Sequence, residues 1–296
     1  MKLPLQFASE LRPKAQIKAC PEDFQVTEIP LSEVSGQGDY AYFEVVKRNL
    51  PGHALVRAIA EHLDIPTSQV TTAGTKDRLA IARQRLSLPA RFLQAGPPPL
   101  DEILEWRALG LHPEPLRPGH LKGNLFQVRL LGEGLGVWLS QAWQRQQPVG
   151  WANYYGIQRF GNDNKNWGVG LEMLHNPPPR SKRQRWPNNF VLASVQSQIF
   201  NEFLEKRIAL GRFQALSQGD WCDTLPASQP FQARGDVHEK RAFLDFRLSS
   251  LGPIWGYKLL QPTLEELALL ETHGLTQRSF QPFRAPGSRR ATRLPL

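Results

Sequence analysis

Hydrophobic and polar positions set out two differently built halves. Phe24 to Ile29 alternates in part and stops at Pro30, which predicts a short strand. Asp39 to Lys47 alternates more fully, with Ala41, Phe43 and Val45 on one face and Tyr40, Tyr42 and Glu44 on the other. Leu55, Ile59 and Leu63 recur one turn apart and predict a helix over Ala54 to Leu63. Gln69 to Ala73 predicts a strand, Gly74 to Arg78 a turn, and Leu79 to Leu88 a second strand ended by Pro89. A strand over Leu125 to Leu131 and a helix over Val137 to Gln147, stopped by Pro148, complete a β-rich first half. The pattern changes near Gly150. Gly156 to Gly170 reads as irregular, and Pro177 to Lys182 as a Pro-then-basic loop. The clearest helix then spans Phe190 to Leu210. Its stripe is Leu192, Val195, Ile199 and Phe203, its cap Asn188 or Asn189, its stop Gly211. A short helix opens at Thr263, with Glu266 completing a capping box, and ends before Gly274.

Composition narrows the class. The 296 residues are 41% hydrophobic and 21% charged, as in a globular chain of about two domains. No run approaches the roughly 18 apolar residues that span a bilayer, and Met1 to Phe7 lacks the apolar core of a secretory signal. Two cysteines, Cys20 and Cys222, are too few and too far apart for a disulfide scaffold or a cysteine zinc site, which fits a cytoplasmic protein.

The formal charge of +9 changes the picture further, because it suits an acidic partner such as nucleic acid. Arg180, Lys182, Arg183 and Arg185 crowd before Trp186, and five arginines (Arg278, Arg284, Arg289, Arg290, Arg293) with no acid follow residue 277. Aromatics sit beside cations at Trp151, Tyr154, Tyr155, Arg159, Phe160, Lys165 and Trp167. Cations for phosphates and rings for splayed bases suit RNA. A solvated basic surface with core aromatics is the plainer alternative.

Familiar chemistries lack support. There is no P-loop, the glycines at 132, 134 and 136 lack the acidic residue of a dinucleotide site, seven scattered histidines show no metal-ligand spacing, and no G-x-S-x-G appears. What remains is Ala73-Gly74-Thr75-Lys76-Asp77-Arg78, followed by Gln84. A carboxylate on a tight turn between strands, with Lys76 and Arg78 favouring its ionised form, can act as nucleophile or general base. An ordinary turn aspartate flanked by solubilising charges fits the same residues.

These residues resemble the central motif of the tRNA pseudouridine synthase D (TruD) family. Other segments agree in order: Pro21-Glu22-Asp23-Phe24 with Val26 and Glu28; Gly119-His120-Leu121-Lys122-Gly123-Asn124-Leu125-Phe126; Asn153 to Gly161, which resembles N-Y-[FY]-G-x-Q-R-F-G; Gln196-Ser197 with Phe200-Asn201; and Gly252-Pro253-Ile254-Trp255-Gly256. The resemblance implies an α+β fold. A catalytic domain of pseudouridine-synthase type, with a mixed or antiparallel sheet and helices, would span residues 1–151. An inserted α/β TRUD domain would span 152–290, and a short basic tail 291–296. It implies isomerisation of uridine to pseudouridine in tRNA, typically at position 13, by an intramolecular transferase with no cofactor or metal. Asp77 matches the catalytic aspartate. Phe24 matches the base-contacting aromatic and Asn124 its polar contact, while Lys76, Arg78 and Lys122 match motif positions that contact phosphate or tune Asp77. Arg159 would bind RNA or brace the crossing between domains, and Lys182, Arg183 and Arg185 would bind tRNA. The expected partner is tRNA, with no membrane and a monomer favoured.

The family's L-P-A-G-x-[FY]-A-T-like return to the catalytic sheet is not found, and the chain ends about where it should begin. That leaves a second reading open, a tRNA-binding relative without catalysis or with weak activity. A different base-flipping RNA enzyme that uses an aspartate near the sugar stands behind both.

Overall fold

The computed structural model describes residues 13–161, 165–178 and 185–295, with the side chains of 185–188 left out. The described residues divide into two compact units, one running to residue 138 and the other from residue 139 onward.

The first unit is a mixed sheet. Its strands are β1 (Phe24–Pro30), β2 (Tyr40–Arg48), β3 (Thr71–Thr72), β4 (Ile81–Pro89), β5 (Ile103–His112) and β6 (Leu121–Val128), in the order β5-β2-β4-β1-β6, with β3 paired to β4. Only β1 and β4 run parallel; the other pairings are antiparallel. Helix α1 (Gly52–His62) packs Leu55, Ile59 and Ala60 against Ala41, Phe43, Val45, Leu86 and Leu88. The alternation in β2 therefore does what it predicts, since one strand face fills the core under one helix stripe. β5, a ten-residue strand, has no clean alternation to announce it in the sequence, because register shifts opposite Tyr42/Phe43 and Val46/Lys47 interrupt its pattern. The Trp106 ring of β5 lies 4.8 Å from that of Phe43, tilted by 37°.

Helix α2 (Leu135–Gln146) carries the unit boundary. The second unit then holds β7 (Trp151–Ala152), α3 (Asn166–His175), α4 (Arg185–Ala209), β8 (Trp221–Thr224), β9 (Phe231–Gln232), α5 (Val237–Leu244), β10 (Leu248–Ile254), α6 (Leu264–Glu271), β11 (Ser288–Ala291) and β12 (Arg293–Leu294). Leu192, Val195 and Ile199 of α4 pack with Leu174 of α3, Trp255 and Leu270 of α6. Thr263 caps α6 with its side chain and Glu266 answers it, as the capping box predicts. The stretch expected to be irregular through Gly170 gives way to α3 at Asn166.

Residues 291–294 are not a basic tail. β11 pairs with β10, β12 pairs with β7, and Thr292 and Arg293 are buried. The Arg293 guanidinium donates to three carbonyls, of Val149 (2.5 Å), Phe243 (3.0 Å) and Pro148 (3.0 Å), and burial lowers its pKa to about 10. Arg289 forms a buried pair with Glu266 at 2.7 Å. Arg289 and Arg293 therefore answer internal acceptors, whereas Arg278 and Arg284 of the same sequence cluster are exposed. Among the described residues, no helix is long and apolar enough to cross a membrane.

Candidate active site

The turn between β3 and β4 carries Asp77, and both its ends are fixed. Ala73 and Ala80 are buried, Gly119 N donates to Ala73 O at 2.8 Å, and Asn49 N donates to Ala80 O at 3.0 Å. Two lysines hold the middle. Lys47 of β2, wholly buried, donates through Nζ to Leu50 O (2.6 Å) and to Asp77 O (3.1 Å). Burial lowers its pKa to about 8; Lys76 adds to the lowering and Asp77 opposes it. Lys76 turns inward and pairs with the Glu28 carboxylate at 2.7 Å, both side chains being at most 4% exposed. Glu28 also accepts from Arg85 N at 3.3 Å. With the backbone pinned by Lys47 and the preceding side chain pinned by Glu28, the Asp77 side chain is left partly exposed.

The cation beside the Asp77 carboxylate is therefore neither of its sequence neighbours. Lys76 is engaged by Glu28, and Arg78 is exposed. Lys18 Nζ lies 3.1 Å from Asp77 Oδ1, and the same ammonium sits 3.8 Å from the centre of the Phe24 ring. Lys18 thus joins Asp77 to Phe24. Sequence reasoning missed it, because no local pattern links residues 59 positions apart.

Strand register gathers the other residues. β1 sends Phe24, Val26 and Glu28 to one face, and β6 sets Phe126 opposite Val26 and Asn124 opposite Glu28. The Phe24 and Phe126 rings lie 5.8 Å apart and tilted by 57°. Asn124 Oδ1 is buried with no hydrogen-bond partner. Alternation places Ala82 and Gln84 of β4, and Lys47 and Val45 of β2, on this same face, because β2 pairs Lys47 with Ala82 and Val45 with Gln84. One sheet face is apolar under α1 and polar toward Asp77. Lys122 is exposed two residues before Asn124. No three His, Cys, Asp or Glu side chains gather as a metal would require, among the described residues.

The motif around Asn153 organises the second unit. Asn153 Nδ2 donates to Ala291 O at 2.7 Å, and Arg290 donates to Asn153 Oδ1 at 2.6 Å while lying 4.1 Å from the Tyr155 ring. Asn201 of α4 both accepts from Tyr155 N (2.8 Å) and donates to Tyr155 O (2.9 Å). Arg159 is half-buried, donating to Ser197 Oγ at 3.0 Å. Lys182 and Arg183 lie outside the described residues, and Arg185 opens α4.

The comparisons agree with these motifs. The family model described as tRNA pseudouridine synthase D (TruD) matches residues 7–180. A curated relative of that name from Thermus thermophilus is 32% identical over 288 residues, covering 95% of this chain and 79% of its own. One from an Anaeromyxobacter species is 31% identical, covering 94% and 82%. A crystal structure from Methanosarcina mazei with the same family designation superposes with a TM-score of 0.76 at 20% identity, over 95% of this chain and 84% of that one, which shows the shared fold. Sequence, motif order and fold converge, and the chain belongs to the tRNA pseudouridine synthase D family.

Proposed function

We propose that the protein isomerises uridine to pseudouridine in tRNA, at position 13, with Asp77 as its catalytic residue. The observation that carries the reading is a carboxylate on a fixed turn beside a polar sheet face: Lys47 holds the Asp77 backbone, Glu28 holds the preceding Lys76 inward, and Lys18 pairs with the Asp77 oxygen. Preorganised groups of this kind lower a barrier because they need no reordering as charge develops.

The reaction breaks the bond between C1′ and N1 of uridine, turns the uracil and joins C1′ to C5; C5 then loses its proton and N1 gains one, so the product is an isomer of the substrate. Asp77 serves either by attacking the sugar or by taking a proton from it. A base in folded RNA must first leave its stack. The Phe24 ring supplies a stacking surface and Asn124 Oδ1, unpartnered in the protein, accepts a hydrogen bond from the base edge. The exposed cations Arg78 and Lys122 contact phosphate, as do Arg159 and the basic run of Lys182, Arg183 and Arg185 farther along the chain.

Incubation with unmodified, transcribed tRNA followed by mapping of pseudouridine tests this. The expected product is one pseudouridine at position 13, absent with Asp77→Asn although tRNA binding persists. Binding without product at any uridine would refute the isomerase assignment. Reversing charge at Lys182, Arg183 and Arg185 should weaken tRNA binding at moderate salt.

A further inference from the structure

A cavity of about 410 Å³ lies in the first unit, walled by Gly52, His53, Val56 and Arg57 of α1, by Thr67 and Thr72, by Gly74 and Thr75 of the turn that carries Asp77, and by Gln84. Its size falls in the range of small-ligand sites. Its chemistry is one-sided. The wall has no Asp or Glu, and its two basic side chains, His53 and Arg57, are both exposed one helical turn apart. Gly52 and His53 are the first two residues of α1, whose N-cap Pro51 offers no side-chain cap, so the positive end of the helix dipole is uncompensated there.

An independent feature points to a ligand in the cavity. Gln84 is 2% exposed, lines the wall, and its Oε1 is buried without any hydrogen-bond partner. An unmet buried acceptor is costly, and a ligand that donates to it removes the cost. The wall has no Phe, Tyr or Trp on which a base could stack. An anion beside a hydroxyl donor, without a base platform, describes the sugar–phosphate backbone of RNA.

We propose that this cavity is an RNA-backbone subsite. It takes the phosphate of a nucleotide adjacent to the target uridine at the start of α1, between His53 and Arg57, while that nucleotide's ribose 2′-hydroxyl donates to Gln84 Oε1. The shared turn, with Gly74 and Thr75 in the cavity wall and Asp77 two residues on, couples seating of the neighbouring nucleotide to the carboxylate. Gln84 and Arg57 are binding and positioning residues here. The inference rests on the tRNA reading above and adds to it a means of telling RNA from DNA.

The test is binding by fluorescence anisotropy, with pseudouridine formation followed in parallel, on tRNA assembled with single 2′-deoxy substitutions in the two nucleotides on either side of the target. One deoxy position should weaken wild-type binding by about 3- to 10-fold, the range of one net hydrogen bond. Gln84→Leu should lose a similar factor on all-ribose tRNA and show no further loss at that position. Arg57→Gln, on an exposed helix face, should weaken binding and lower the slope of log Kd against log salt by somewhat under one, as for one phosphate contact. Deoxy penalties that multiply with Gln84→Leu at every position, or an Arg57→Gln protein with unchanged Kd and salt slope, would overturn the subsite. If Gln84→Leu does not melt as a folded protein, Arg57→Gln decides alone. A wild-type protein that forms no pseudouridine yet shows this pattern would discard the isomerase reading and keep the subsite; product formation without the pattern would do the reverse.

Discussion

Lys47→Met replaces a buried cation by an apolar chain of similar length, and the consequences for stability and catalysis should separate. In the folded protein Lys47 is fully buried and its pKa falls from 10.5 to about 8. That difference corresponds to a charging cost on the order of 3 kcal/mol near neutral pH. The substitution removes this cost. It also deprives Leu50 O and Asp77 O of their donor, at about 1–3 kcal/mol for each buried carbonyl left unpaired. The two effects are of similar size, so the melting temperature should move by only a few degrees. Catalysis has no such compensation, because the Asp77 backbone loses the bond that fixes the turn. A tenfold or greater fall in single-turnover pseudouridine formation is expected, with tRNA affinity nearly kept. The pH dependence gives a second readout. Between about pH 8 and 10.5 the unfolded chain holds a proton that folded Lys47 has released, so this residue makes wild-type stability rise with pH across that window. Chemical denaturation of wild type and variant at pH 7 and 9.5 measures the difference, which should grow in favour of wild type at the higher pH. A variant with wild-type turnover, or a stability difference flat across that interval, would refute the reasoning.

Other substitutions probe the neighbouring contacts. Lys18→Met removes a partly exposed pair worth at most about 1 kcal/mol to stability, yet should lower turnover sharply, with partial rescue by Lys18→Arg; thermal melting beside single-turnover rates separates the two. Glu28→Ala leaves the Lys76 ammonium buried and unpaired and should destabilise the protein by about 3–5 kcal/mol, whereas Glu28→Ala with Lys76→Met should recover much of it, as denaturant titration would read. Asn153→Ala breaks the bonds to Ala291 O and from Arg290 and should lower stability by about 1–3 kcal/mol, seen as an earlier melt. An unchanged melting curve would mean that this motif does not hold the second unit together.

Short-range patterning along the chain sets the local elements and the residues that carry the family resemblance. Alternation specified β2, the stripe of Leu55 and Ile59 specified α1, and Thr263 with Glu266 specified the start of α6, because each signal lies within a few residues of chain. Asp77, Phe24 and Asn124 were legible as motif positions, and the antiparallel pairing of β1 with β6 is what sets Asn124 opposite Glu28. Tertiary structure decided which charges meet. Lys76 was expected to act on Asp77 from the next position, but it turns inward to the buried Glu28, and Lys18 arrives from a distant segment instead. Arg289, Arg290 and Arg293 read as a basic surface in one dimension, yet β11 and β12 carry them against Glu266, Asn153 and three backbone carbonyls. The physical reason is common to both. Hydrophobic periodicity is written locally, whereas the partner of a charge depends on which strands pair and in which register, and that is settled only when the chain has folded.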